Sequence, residues 1–152
     1  MISDVGIASA IAASRTNASP LTRELFEDQW TAERVSDFVN ERRNATVATV
    51  NVTGQPHAAV VIAASIGDEI YFTVHPESVL SRNINSNERI ALSVFDSTHA
   101  VMCQGRAVRV GRAADLSDLL SELASMTQRG SFTPPDWDGF VYRIELRRLV
   151  AN

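Results

Sequence analysis

Four apolar, β-branched runs follow one another between Asn44 and Asp96, broken once by a short polar stretch. A strand cannot leave its backbone N–H and C=O groups unpaired, so four strands in succession require a common sheet. The first run, residues 46–52, is closed by Thr53-Gly54, where glycine is free to take positive φ, and this spells a hairpin. Pro56 stands at the start of the second strand, where its missing N–H does least harm. Residues 58–64 are apolar on both faces of that strand. A strand with no polar face is covered twice, which in a small sheet protein points to a closed barrel. One face turns to the interior and the other lies under a helix or a second subunit. Gly67-Asp68 then turns the chain into a third strand at 70–74, and residues 89–95 make the fourth.

The polar interruption, residues 76–87, carries a helix signature. Ser78 is placed as an N-cap, Leu80 and Ile84 share one face, and Arg82 and Asn83 lie nearby. A helix N-terminus beside a sheet offers unpaired N–H groups to an anion. Residues 99–110 form a long fifth strand, in which Gly105 marks a bulge or a close backbone approach. Leu116, Leu119, Leu120, Leu123 and Met126 recur at helical spacing up to Gly130, giving a helix over 113–128 that covers the sheet. A Pro-containing loop, 131–138, holds Trp137 between Asp136 and Asp138, and residues 140–150 close the chain as a sixth strand. Upstream, Ser19-Pro20 starts a helix with Leu21, Leu25 and Phe26 on one face. Thr31 caps another, in which Val35, Phe38 and Val39 repeat and Arg42 and Arg43 complement the C-terminal dipole. Residues 1–18, rich in Ala, Ser and Ile but without a strong cap, read as an N-terminal arm, a short helix or a mobile segment, ahead of one domain over 19–152.

Composition narrows the function. With 152 residues, 45% hydrophobic and 21% charged, the chain has the material for one domain around one core. No apolar run approaches the roughly 20 residues needed to span a bilayer, and no basic segment followed by an apolar core opens the chain. A soluble, unexported, cytoplasmic protein is expected, and the single Cys103 suits a reducing compartment. A net charge of −4 argues against nucleic acid, whose phosphates call for a clustered basic face. Lysine is absent: all 14 basic residues are arginine, which excludes Schiff-base chemistry and a phosphate-binding lysine.

Catalytic motifs are missing as well. His57, His75 and His99 share no metal-ligand spacing, and one cysteine cannot complete a zinc site. Each histidine reads as a polar residue of a strand or its end, and Cys103 as a buried, inert thiol. No G-x-S-x-G, P-loop or G-x-G-x-x-G occurs. Residue chemistry alone gives a β-barrel domain with one candidate anion pocket and no catalytic triad.

The Gly54-Gln55-Pro56 turn, the Ile70-Tyr71-Phe72-Thr73 strand, the segment Ser78-Val79-Leu80-Ser81-Arg82-Asn83-Ile84 and the following Arg89-Ile90-Ala91-Leu92-Ser93-Val94 resemble the pyridoxamine 5'-phosphate oxidase-like family. The likeness runs from about Val35 to Val150. It implies a mainly β (α+β) fold, a six-stranded antiparallel split β-barrel with flanking helices, assembled as a homodimer with cofactor sites at the subunit interface. It further implies flavin mononucleotide (FMN) or a deazaflavin coenzyme, haem being the lesser alternative. By position the flavin ring would meet Ala59, Val60 and Val61, with Phe72 and Thr73 alongside, and the phosphate would lie near Ser78 and Arg82. The implied activity is hydride transfer between the flavin and an unassigned small substrate; the alternative is a non-catalytic flavin- or haem-binding module, with His57, His75 or His99 as haem ligand. The chain also departs from the enzymes that name the family. They carry Arg where it has Ala59, Lys where it has Ala64, and Arg-Lys where it has Val79-Leu80. Each charge-assisted phosphate contact is worth roughly 1.5–3 kcal/mol, so oxidation of vitamin B6 phosphates is not implied. Arg82, Arg106 and Arg109 are the arginines placed to substitute.

Overall fold

The computed structural model describes residues 5–25, 30–127, 132–134 and 136–152. Six strands form a closed antiparallel barrel: β1 (Asn44–Val50), β2 (Pro56–Ile66), β3 (Glu69–Val74), β4 (Arg89–Phe95), β5 (Ala100–Arg112) and β6 (Phe140–Ala151), in the spatial order β1-β2-β3-β6-β5-β4. The expected strands are therefore present, with ends shifted by a few residues. Gly54 and Gly67 take φ of +88° and +58° at the two hairpin turns that their sequence signals announced. The ladder of β5 and β6 shifts register between Gln104 and Gly105, and a Cβ at Gly105 would run into the Glu145 carbonyl. That position is both the bulge and the close approach.

Side-chain alternation sorts the barrel. Ala45, Val47 and Thr49 of β1, Val61 and Ala63 of β2, Ile70, Phe72 and Val74 of β3 and Leu92 of β4 are buried in the interior. On β2 the outward residues divide. Ala64 is fully buried against Leu123 and Phe132, with Ile62 and Ile66 packed on the same cluster, whereas Ala58 and Val60 are exposed. The helix that covers them is α5 (Ser117–Thr127), preceded by a 3-10 turn at Ala113–Asp115. The single helix expected over 113–128 is thus broken at Leu116, since flanking Asp115 and Ser117 favour turns and caps over helix interiors. Met126, expected on the covered face, is 43% exposed. The predicted stop at Gly130 and the end at Gln128 fall outside the described residues.

Helices close the barrel's ends. α3 (Ala32–Arg42) is capped as its sequence predicts, Thr31 accepting from the Arg34 N–H at 3.1 Å, and it buries Val35, Phe38 and Val39. Arg42 does not simply face the helix dipole. Its guanidinium pairs with Asp96 and lies 4.3 Å from the centre of the Phe38 ring. Arg43 ends the helix at φ +65°, its N–H bonded to the Val39 carbonyl. α4 (Val79–Ser86) lies toward the other end, its Asn83 amide donating to Thr49 near the end of β1 at 3.0 Å. α2 (Pro20–Leu25) follows Ser19 as expected; its Leu21 is 63% exposed, while the Leu25 side chain and Phe26 lie outside the described residues.

The segment read as an arm contributes α1 (Ile7–Asn17), which docks on β6. The pairing of β6 with β3 stops at Arg143, leaving a strand edge beyond it. Two acceptors from the N-terminal segment serve that edge: the Val5 carbonyl takes the Leu146 N–H, and Ser14 Oγ takes the Leu149 N–H, both at 2.8 Å. Ile7 is fully buried there. Among the described residues no helix is long and apolar enough to cross a membrane.

Candidate functional site

The barrel has a split. β2 pairs with β1 along Pro56–Ile62 but with β3 only from Ala63 to Ile66, so residues 56–61 have a strand neighbour on one side alone. Ala63 N–H points away from β3, to the Arg43 carbonyl. By the alternation of an antiparallel strand, the backbone groups of Ala58 and Val60 then face the open side. This open edge lies beside the end of β3 and the start of α4, whose residues also contact β1 and β2.

The predicted ring-binding residues sit around this edge in different roles. Val60 points outward and is 72% exposed; Ala59 and Val61 point into the barrel, Val61 buried and Ala59 half-buried against the core. Thr73 lies on the outer side of β3 and is almost covered. Phe72 is fully buried in the interior, stacked on Tyr142 with ring centres 5.7 Å apart, and so lies inside the barrel rather than at its open edge. Ala64 lies beneath α5, and a lysine there would meet Leu123 and Phe132.

The helix beside the split is built as its sequence foretold. Ser78 caps α4, accepting from Ser81 N–H at 3.1 Å and donating to the His75 carbonyl at 2.7 Å. Leu80 and Ile84 plug the barrel, and Val79 is exposed. The cap satisfies Ser81, and Arg82 N–H reaches the Ser78 carbonyl. The N–H groups of Val79 and Leu80 are the first-turn donors left over. Arg82 lies one turn from Ser78 on the exposed face with no acidic partner among the described residues. An anion at this end would find helix N–H groups and one guanidinium, without the family's Arg-Lys pair.

The other candidates scatter. His75 Nδ1 accepts from the Glu77 N–H at 3.2 Å and holds a turn. His99 sits at the α3 end, edge-on to Trp30 and Phe38, its Nδ1 3.2 Å from the Asn152 carbonyl oxygen. His57 lies opposite Thr49 in the β1–β2 ladder, its Nδ1 buried without a hydrogen-bond partner among the described residues. Burial pushes the Cys103 thiol up to about 12, and its Sγ contacts the Leu92 carbonyl at 3.4 Å. No group of three or more His, Cys, Asp or Glu side chains gathers to hold a metal among the described residues. Arg106 is paired with Glu88. Arg109, by contrast, reaches across to Tyr142 and Asn85. No local pattern announces that convergence, which lies next to the second register shift of β5, between Arg109 and Gly111.

With a split antiparallel barrel, a free β2 edge and a capped helix beside it, the chain has the frame of a flavin-type split-barrel protein. The pyridoxamine 5'-phosphate oxidase family matches residues 31–148, well over half of the chain, and the chain belongs to that family. No curated protein sequence matches it. Among solved structures it is similar to the Atu2129 protein of Agrobacterium tumefaciens, of unknown function, at 19% identity and TM-score 0.64 over 82% of this chain and 57% of that one. It thus spans little more than half the length of that relative. An F420 reductase matches at 21% identity and TM-score 0.60, covering 75% of this chain and 94% of that one. An FAD and heme binding protein from Mycobacterium smegmatis matches at 17% identity and TM-score 0.64, covering 82% and 71%. At these identities the likeness establishes the fold.

Proposed function

We propose that the protein is a dimeric FMN- or deazaflavin-dependent oxidoreductase that acts on a small substrate. The observation that carries this reading is the open edge of β2 at residues 56–61 beside the α4 N-terminus. The pyrimidine-like end of a flavin or deazaflavin ring is a planar row of donors and acceptors, and the backbone groups of Ala58 and Val60 match it. Exposed Val60 offers an apolar contact to the ring, with Thr73 alongside. Ser78 fixes the helix whose leading N–H groups, with Arg82, would hold the phosphate. Such a cofactor supplies hydride transfer, and the chain's part is to bind and orient it, which needs no acid-base pair.

Oxidation of pyridoxamine phosphate itself is not proposed, because α5 occupies the space over Ala64 and the charges at 59, 79 and 80 are absent. An uncovered outer face supports the proposal of a second subunit. Across β2, β1, β4 and β5, the exposed Val60, Met102 and Phe95 frame the small residues Thr46, Ala48, Ala91 and Ser93. Small residues let two sheets approach closely, and a partner there would bring a second wall to Val60. Titrating purified protein with FMN and with deazaflavin coenzyme, alongside sedimentation, tests the reading. Micromolar binding of one cofactor and a dimer are expected, and V60D is expected to lose both. Absence of binding by either cofactor refutes it.

Haem is the second reading, favoured by the buried, unpartnered Nδ1 of His57. In that case haem-loaded protein loses its Soret band in H57A and keeps it in H75A and H99A.

A further inference from the structure

We infer that two copies of the chain pack with β2 of each against β5 of the other, so that Met102 faces the partner's Val60 and Arg148 enters the partner's cofactor cleft. This rests on the dimer proposed above and names the residues that the second copy brings to the cleft. The outer face reads in rows. Val60, Thr46, Ser93 and Met102 stand side by side across β2, β1, β4 and β5, and the next row is Ala58, Ala48, Ala91 and Gln104. In the first row the margins are large and exposed, Val60 and Met102, and the middle is small and half-buried, Thr46 and Ser93.

A two-fold contact between copies is self-complementary, and two axes in the plane of this face are open to it. With the axis along the strands, between β1 and β4, Thr46 meets the partner's Ser93, Ala48 its Ala91 and Val60 its Met102. With the axis across the strands, β2 meets β2 and β6 meets β6. Charge chooses between them. At the β2 margin α5 carries Asp118 and Glu122, both exposed, and no basic residue. At the other margin the end of β6 carries Arg147 and Arg148, also exposed. An axis across the strands brings each margin toward its own copy, like charge to like. An axis along them turns the β6 arginines toward the partner's acidic α5, which is the complementary arrangement.

That packing also completes the cleft. β6 lies one strand beyond β5, so it overlies the space one strand beyond the partner's β2. This space is the open side of residues 56–61. Arg148 stands opposite Gln104 and therefore in the row of Ala58, whose backbone groups face that side. It has no acidic partner among the described residues. β2 itself carries no Arg, Asp or Glu. Arg148 thus supplies from the partner a positive charge that the strand beside the cofactor lacks.

The packing is tested without cofactor. Mixed dimers of a tagged V60C chain and an untagged M102C chain are treated with a short bismaleimide, and A58C with R148C forms the second pair. Both pairs are expected to give a cross-linked dimer. V60C alone should give none, because three interstrand steps of about 4.8 Å separate the two copies of residue 60. Wild-type protein is the blank, its Cys103 being buried. Cross-linking of V60C to itself, no product from either mixed pair, or a monomer in sedimentation overturns the packing. R148Q should then weaken cofactor binding about tenfold and leave the dimer intact, with R148K recovering most of the loss. Unchanged binding in R148Q overturns the role given to Arg148. Wild-type protein that cross-links as expected but binds neither FMN nor deazaflavin coenzyme keeps the packing and refutes the cofactor reading alone.

Discussion

Replacing Asn40 by alanine should unfasten the strand that carries the site. β1 begins at Asn44, opposite Ile62, so β2 runs on past the end of its partner. Ala63 N–H finds the Arg43 carbonyl there, and Ser65 would be left with a bare edge. The Asn40 side chain fills the gap as a one-residue strand: its Nδ2 donates to the Ser65 carbonyl at 3.0 Å, and its Oδ1 accepts the Ser65 N–H at 2.7 Å. Ser65 is fully buried and Asn40 is 8% exposed, so water cannot easily replace the amide. N40A leaves two buried backbone groups unsatisfied at about 1–3 kcal/mol each, which gives a loss of about 2–6 kcal/mol. Against a total stability of about 5–15 kcal/mol this is a large fraction. At about 2–4 °C per kcal/mol for a chain of this size, the melting temperature should fall on the order of 10 °C. S65A removes only a hydroxyl, which accepts from Ser36 and donates to the Glu69 carbonyl at 2.8 and 2.9 Å, and should cost about 1 kcal/mol. Urea denaturation followed by tryptophan fluorescence, with thermal melts, provides both numbers. A loss under about 0.5 kcal/mol for N40A, the range of ordinary surface substitutions, would show that Asn40 does not complete the ladder.

Cys103 should resist a thiol reagent in the folded protein, because burial holds its thiol at about 12 and the side chain is only 3% exposed. Labelling should proceed at the rate of global unfolding, and stoichiometric labelling of native protein within minutes would contradict the buried placement. Asp96 predicts an acid effect. The Arg42 guanidinium, with the N–H groups of Thr98 and His99, holds its carboxyl well below the usual carboxylate range. A carboxylate with a lowered folded-state pKa contributes its full stabilisation above the unfolded value of about 4 and loses it as the pH falls toward the folded value. D96N should therefore flatten the stability profile below about pH 4 and leave its shape between about pH 5 and 8 unchanged. A wild-type profile already flat below about pH 4 would remove the ion pair from the account.

Much of the barrel was legible in the chain because its signals are local. The period-two runs, Thr53-Gly54, Gly67-Asp68, the Ser78 and Thr31 caps and Gly105 each impose a backbone state that neighbours cannot easily override. The Ser78-to-Arg82 outline placed a helix N-terminus at the site, and the structure keeps Ser78 as cap and Arg82 exposed. Helix α1 was not legible as a docked element. Its cap position is Gly6 with no side-chain bond, and its stability comes from the β6 edge, some 130 residues away along the chain.

The sequence by itself determined six strands, their turns, the helix at the split and the absence of a local catalytic motif, since these follow from periodicity and from residues whose conformational range is narrow. Only the tertiary structure decided that β2 has a free edge over residues 56–61, that Phe72 lies in the interior while Val60 faces outward, and that Arg109 meets Asn85 and Tyr142. The physical reason is that strand parity, the length of each pairing and the two register shifts of β5 are set when strands close into a barrel, through contacts between residues far apart in the chain.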